Sequence, residues 1–206
     1  ADVPNVAIAS ATNAFTIGGS VSGYNGTGLS LRLNGTTTLS FPPLGNGQYA
    51  FPAIADGSTY SVLVSLQPIG QVCTVAFGSG TLAGANVTNV AVTCATNTFT
   101  IGGTVSGLSG TGLVLQNNGG DNLPRSADGA FNFTTKIAQG SAYSVSVLTQ
   151  PSNPSQTCTV AGGSGTVSAN VTNVVVACVT NTFTIGGNVT GLSGTGLVLR
   201  NNGVDN

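Results

Sequence analysis

The sequence predicts an all-β chain of tandem seven-stranded β-sandwich modules with a period of about 84 residues. Three observations carry this expectation. First, the run TNTFTIGGTVSGLSGTGLVLQNNG at residues 96–119 has close copies beginning at Thr12 and Thr180, so the copies start 84 residues apart both times. Second, apolar residues alternate with Thr, Ser, Asn and Gly at the two-residue period of half-buried strands, and no stretch has helical spacing. Third, the four cysteines fall in pairs at equivalent places, Cys73 with Cys94 and Cys158 with Cys178. That placement predicts one disulfide per module and an oxidising compartment. Metal binding is the competing use of the thiols, but there is no CxxC and no His to complete a zinc site.

The repeat divides the chain into residues 12–95 (repeat 1), 96–179 (repeat 2) and 180–206, the first strands of an incomplete repeat 3. Residues 1–11, ADVPNVAIASA, align with ANVTNVAVTCA at 85–95 and so read as an orphan last strand. Its apolar residues Val3, Val6 and Ile8 make it a candidate donor strand for another module. It differs by Pro4 in place of Thr88 and Ser10 in place of Cys94, and both changes suit a strand at a chain terminus.

Within a repeat the first strand alternates as Phe15, Ile17, Gly19 and Val21, repeated as Phe99, Ile101, Gly103 and Val105. A Gly-rich turn leads to SLRL or LVLQ, and a third strand follows. Asn46-Gly47 and Asp128-Gly129 then read as tight hairpin turns into QYAF and AFNF. Tyr60, Val62 and Val64, with Tyr143, Val145 and Val147, mark the next strand, which Gln-Pro ends at 67–68 and 150–151. The last two strands are expected to form a hairpin that brings each cysteine pair face to face. A disulfide closing a loop of about 20 residues contributes ~3 kcal/mol, a large share of a small module's stability. Ile101, Leu113, Leu115, Phe131, Phe133 and Tyr143 are the expected core of repeat 2.

ADGAFNF followed by AQGSAYSVSV resembles the prealbumin-like, or carboxypeptidase-regulatory-like, sandwich modules of bacterial surface proteins. The whole repeat is similar to the tandem Gly-, Thr- and Ser-rich Ig-like repeats of large secreted bacterial adhesins and fibre proteins. The resemblance implies an extracellular scaffold and brings no active residues with it. Sandwich modules of some Gram-positive pili carry a Lys–Asn isopeptide bond assisted by a buried acid. Here Lys136 is the sole lysine and Glu is absent, so the disulfide is the expected covalent staple.

Composition narrows the function. Charged residues make up 4% of the chain and nearly cancel, leaving neither a basic surface for nucleic acid nor an acidic tail. No apolar run reaches the ~20 residues of a spanning helix. Surface polarity comes from hydroxyls and amides, a secreted composition that lets neighbouring chains approach without charge repulsion. His and Glu are absent, and Asp2, Asp56, Asp121, Asp128 and Asp205 lie mainly in turn contexts. Asp121, Asn122 and Asp128 lack the spacing of a calcium loop, and IGGTVSG lacks the Lys and helix of a phosphate loop, so no metal or cofactor is expected. Six Asn-x-Ser/Thr triplets, at Asn25, Asn34, Asn86, Asn132, Asn170 and Asn188, are sites that could carry glycans.

The expectation is a non-enzymatic structural subunit of an extracellular bacterial filament or surface stalk. It would self-associate into a homopolymer by β-strand exchange, with cell-surface or matrix components as further partners. The alternative is an adhesin or carbohydrate-binding module array. Sugar sites place aromatic faces on the surface; with Trp absent, Tyr24, Tyr49, Tyr60 and Tyr143 are the residues to watch.

Overall fold

In the computed structural model, which describes residues 12–203, the chain forms two β-sandwich modules related by the 84-residue repeat. The first contains β1 (Ala14–Phe15), β2 (Ile17–Ser22), β3 (Ser30–Leu33), β4 (Thr37–Ser40), β5 (Gly47–Ala50), β6 (Ile54–Ala55), β7 (Thr59–Leu66), β8 (Gln71–Ala76), β9 (Ser79–Thr81) and β10 (Val87–Thr96). The second repeats the set as β11 (Thr98–Phe99), β12 (Ile101–Ser106), β13 (Leu113–Asn117), β14 (Asp121–Arg125), β15 (Gly129–Asn132), β16 (Ile137–Ala138), β17 (Ala142–Thr149), β18 (Gln156–Ala161), β19 (Ser164–Thr166) and β20 (Val171–Thr180). No helix occurs among the described residues, so none is long and apolar enough to cross a membrane.

Each module stacks two four-stranded sheets. In the first module one sheet has the order β5-β2-β10-β8 and the other β4-β3-β7-β9, with β1 and β6 as a two-residue ribbon. The second module has β15-β12-β20-β18, β14-β13-β17-β19 and the ribbon β11-β16. Every pairing is antiparallel except that of β2 with β10 and of β12 with β20, which run parallel. A parallel pair cannot be closed by a tight turn. Here the crossover is the rest of the module, so the sheet closes only when its last strand arrives.

The sheets hold eight strands per module, one more than the seven expected. The addition is β9, or β19: three exposed residues, Ser-Gly-Thr, that carry no hydrophobic alternation. It has a topological consequence. Strands β8 and β10 do pair antiparallel, but the chain between them crosses to the opposite sheet through β9, so they are not a hairpin. The Asn46-Gly47 and Asp128-Gly129 turns are likewise not hairpins. Strand β4 lies in one sheet and β5 in the other, so each turn is a corner between layers, as between β14 and β15. Gly47 and Gly129 do adopt positive φ, 128° and 123°.

Apolar alternation places one face of every long strand in the core. Ile17, Val21, Leu29, Leu31, Phe51, Val90 and Val92 are fully or nearly fully buried in the first module. Ile101, Leu113, Leu115, Phe131, Phe133 and Tyr143 are buried in the second, as expected, with Val174 and Val176 beside them. Edge-to-face ring pairs, Tyr49 with Phe51 and Phe131 with Phe133, fill equivalent places. Pro124 lies on β14, an edge strand, where its missing donor costs no ladder bond.

The Ile-Gly-Gly run of the repeat has a steric cause. At Gly19 the parallel pairing with β10 is interrupted by a bulge between Val87 and Val90, and the two backbones touch. A Cβ on Gly19 would overlap the Val90 carbonyl, and one on Gly103 would overlap that of Val174. Gly18 and Gly102 are closed off in the same way by the carbonyls of Tyr49 and Phe131.

Gly103→Ala is therefore expected to destabilise the second module by about 2–3 kcal/mol, the cost of overpacking against backbone, and to lower its urea midpoint. A pH effect separates the modules. Burial pushes the Tyr49 phenol up to about 12, while Phe131 occupies the equivalent place. The raised value means that stability is intact below pH 10, where the unfolded tyrosine is neutral. It is lost as the pH rises towards 12, because only the unfolded chain ionises. Thermal melts between pH 10 and 12 should show the first module weakening and Tyr49→Phe removing that part of the loss.

Candidate assembly interface

The features that link strands, modules and copies of the repeat converge on the last strand of each module. Cys73 faces Cys94 across β8 and β10, and Cys158 faces Cys178 across β18 and β20; both pairs are disulfides. The Cα atoms are 3.9 Å apart in each, and all four residues are buried. The staple thus locks the closing strand to its neighbour, and its chemistry requires an oxidising environment.

Two glutamines frame each staple. The side chain of Gln67 accepts from the Cys73 N–H at 2.7 Å and donates to the Cys73 carbonyl at 3.0 Å. Gln150 does the same for Cys158, at 2.7 and 3.0 Å. Strand β8 is a sheet edge, so the amide takes the place of a neighbouring strand and closes the edge to addition. The Gln of the Gln-Pro pair is thus an edge cap as well as the point where the strand ends. The second glutamine, Gln71 or Gln156, is buried and pins the Gly-rich loop after the first strand. The Gln156 carbonyl oxygen accepts from Ser109 N and Gly110 N at 2.8 and 2.7 Å, and its amide donates to Gly107 O at 2.8 Å. Gln71 makes the matching bonds to Asn25, Gly26 and Gly23.

The turn residues also do more than turn. Asn46 exchanges side-chain bonds with the backbone of Tyr24, and the Asp128 carboxylate accepts from Gly107 N and Leu108 N. Asp121 instead accepts from Thr135 N at 3.0 Å. The two carboxylates are therefore committed to different loops. No group of three or more His, Cys, Asp or Glu side chains is assembled among the described residues.

Modules join through a single residue. Asn97 follows β10 and precedes β11. Its N–H donates to Gly70 O of the first module, its carbonyl accepts from Gln139 N of the second, and its side-chain amide donates to Gln139 Oε1. Asn181 holds the equivalent place after β20: its backbone N–H donates to Ser155 O, its side-chain amide donates to Ser155 Oγ and its side-chain oxygen accepts from Thr157 Oγ1. The Asn repeated at 13, 97 and 181 was a visible signal for this link.

Beyond Asn181 the third copy of the repeat behaves differently. Residues 182–203 add no strand to the sheets of either module. Ile185 is 82% exposed, whereas its twins Ile17 and Ile101 are fully buried. Phe183, Val189, Leu197 and Leu199 are exposed as well. The candidate donor residues Val3, Val6 and Ile8 lie outside the described residues.

The tyrosines form no aromatic platform. Tyr24, Tyr49 and Tyr143 are buried and Tyr60 packs against the core. Sequence patterning missed the first two, because Tyr24 sits in a loop and Tyr49 was read only as part of a turn-and-strand run.

No protein-family model matches the chain, and no curated protein is similar to it. Fold and site therefore rest on physical grounds: the chain is all-β, made of disulfide-stapled β-sandwich modules in tandem.

Gln156→Ala would strand the buried Gly110 N–H and the partly buried Ser109 N–H and Gly107 carbonyl, so the second module is expected to lose about 2–3 kcal/mol. Denaturant unfolding with both disulfides intact checks this, and Gln71→Ala should do the same to the first module.

Proposed function

We propose that the chain is a non-enzymatic structural subunit of a secreted bacterial filament or surface stalk, built from sandwich modules of the Ig-like or prealbumin-like type. The observation that carries this is the repetition of one disulfide-closed module joined to the next through a single hydrogen-bonded residue, Asn97. The edge strands β4 and β14 are templates for strand addition, which makes self-association into a homopolymer the natural use of the fold.

The mechanical features agree with that role. A one-residue junction hydrogen-bonded to both modules resists bending, since there is no Gly/Ser or Pro-rich spacer to flex. Each module is closed by a buried disulfide between directly facing residues, so tension on the last strand passes into a covalent bond. Few charges oppose lateral contact. The carbohydrate-binding alternative has no fully exposed tyrosine to support it, since three are buried and Tyr60 is half-buried against the core.

Electron microscopy of the purified 206-residue chain under oxidising conditions should show regular filaments whose axial repeat is a whole number of modules. Isolated rods retained on a glycan array would instead establish the adhesin role.

A further inference from the structure

We infer that the edge strand β4 of one copy pairs antiparallel with β4 of a second copy, Thr38 against the partner's Ser40, about a two-fold axis at Leu39. The inference rests on the reading that copies of the chain self-associate, and it names the edge and the register through which they meet.

The two modules treat equivalent edges differently. In the second, the Gln150 amide covers β18 at Cys158, and the Arg125 guanidinium donates to Ala130 O on β15 at 3.1 Å. Pro124 leaves β14 short of a donor. In the first module Gln67 covers β8 in the same way. The registers, however, set Ser40 where Pro124 stands and Phe41 where Arg125 stands. Among the described residues no side chain hydrogen-bonds the backbone of β4 or β5, so both stay open on that side of the first module. The two differ in what pairing would cover. On β5 the core-facing ring is Tyr49, already buried. On β4 Leu39 is half-buried, and so is Phe41 just beyond it, so a neighbouring strand there removes apolar surface from water.

The backbone of β4 is complementary to itself. Phe41 N–H donates to Leu29 O at 3.0 Å, so by the alternation of an antiparallel ladder Leu39 and Thr37 also bond towards β3. The N–H and C=O groups of Thr38 and Ser40 therefore point away from the sheet. A two-fold axis at the residue between them sets each Thr38 against the partner's Ser40, and both pairs exchange N–H···O bonds in the two directions. Leu39 then meets the partner's Leu39 at the non-hydrogen-bonded site, where side chains come closest and extend one core towards the other. A two-fold contact brings like groups together at its axis, and the sequence of β4, TTLS, carries no charge to oppose it. The same operation on β14 would lose the Pro124 donor from both pairs.

The test mixes two single variants of the 206-residue chain, Thr38→Cys and Ser40→Cys. The four native cysteines are all paired, so the introduced thiols are the free ones. Facing residues of a hydrogen-bonded pair have Cα atoms about 5.5 Å apart, within disulfide reach, whereas two copies of Thr38 lie diagonally and out of reach. Mild oxidation of the mixture should give a covalent dimer on a non-reducing gel, and neither variant alone should. Ser40→Pro, which copies β14, should leave the melting of the first module unchanged. It should weaken dimerisation in dilute solution, measured by sedimentation, at least about tenfold, because both Ser40 donors leave the pair. A mixture that cross-links no better than its components, or a dimer insensitive to Ser40→Pro, would overturn the inference; if the proline variant melts lower, the mixture alone decides. Filaments without the mixed cross-link would overturn the pairing and leave the filament reading standing. The cross-link without filaments would do the reverse, and absence of both would overturn both.

Discussion

Each module depends on one close approach: the parallel contact of its first long strand with its last, where backbone meets backbone at Gly19 or Gly103. Everything between those strands in sequence is enclosed by that pairing. The contact is long-range, so its loop-closure cost falls due before any of it is formed. The glycines let the strands touch, the bulge sets the offset, and the disulfide holds the closing strand against the neighbour on its other side.

Hydrogen-bonding side chains do the work that charges do in many proteins. Gln67 and Gln150 cover the edge beside each staple, Gln71 and Gln156 hold the Gly-rich loop, Asn46 and Asp128 tie the sheet corner to that loop, and Asn97 ties module to module. All of these bond to backbone or amide groups, and all but the exposed Asp128 bonds lie where water is partly or wholly excluded and an unmade bond is expensive. The scarcity of charge thus accompanies a different means of specifying structure, in which amides substitute for missing strands. It also leaves the edge at each disulfide closed.

Much of the fold was legible because period two and period 84 are both local bookkeeping on the chain. Phe131, Phe133, Leu113 and Leu115 alternate, and burial followed alternation. The cysteine pairs could be assigned because each recurs at the same place in its repeat. What escaped was whatever has no hydrophobic signal. The Ser-Gly-Thr strands β9 and β19 are polar and three residues long, and they turned an expected hairpin into a crossover. Asn-Gly and Asp-Gly report a positive φ but not which sheet the next strand joins, so the corners were mistaken for hairpin turns.

By itself the sequence determined the module, its period, its staple and its core, because these follow from side-chain spacing and from repetition, which needs no coordinates to see. Only the tertiary structure decided that first and last strands run parallel, that paired glycines are demanded by a neighbour's carbonyl, and that glutamine amides seal the edges. These depend on the direction in which a strand arrives and on which backbone groups it leaves unpaired.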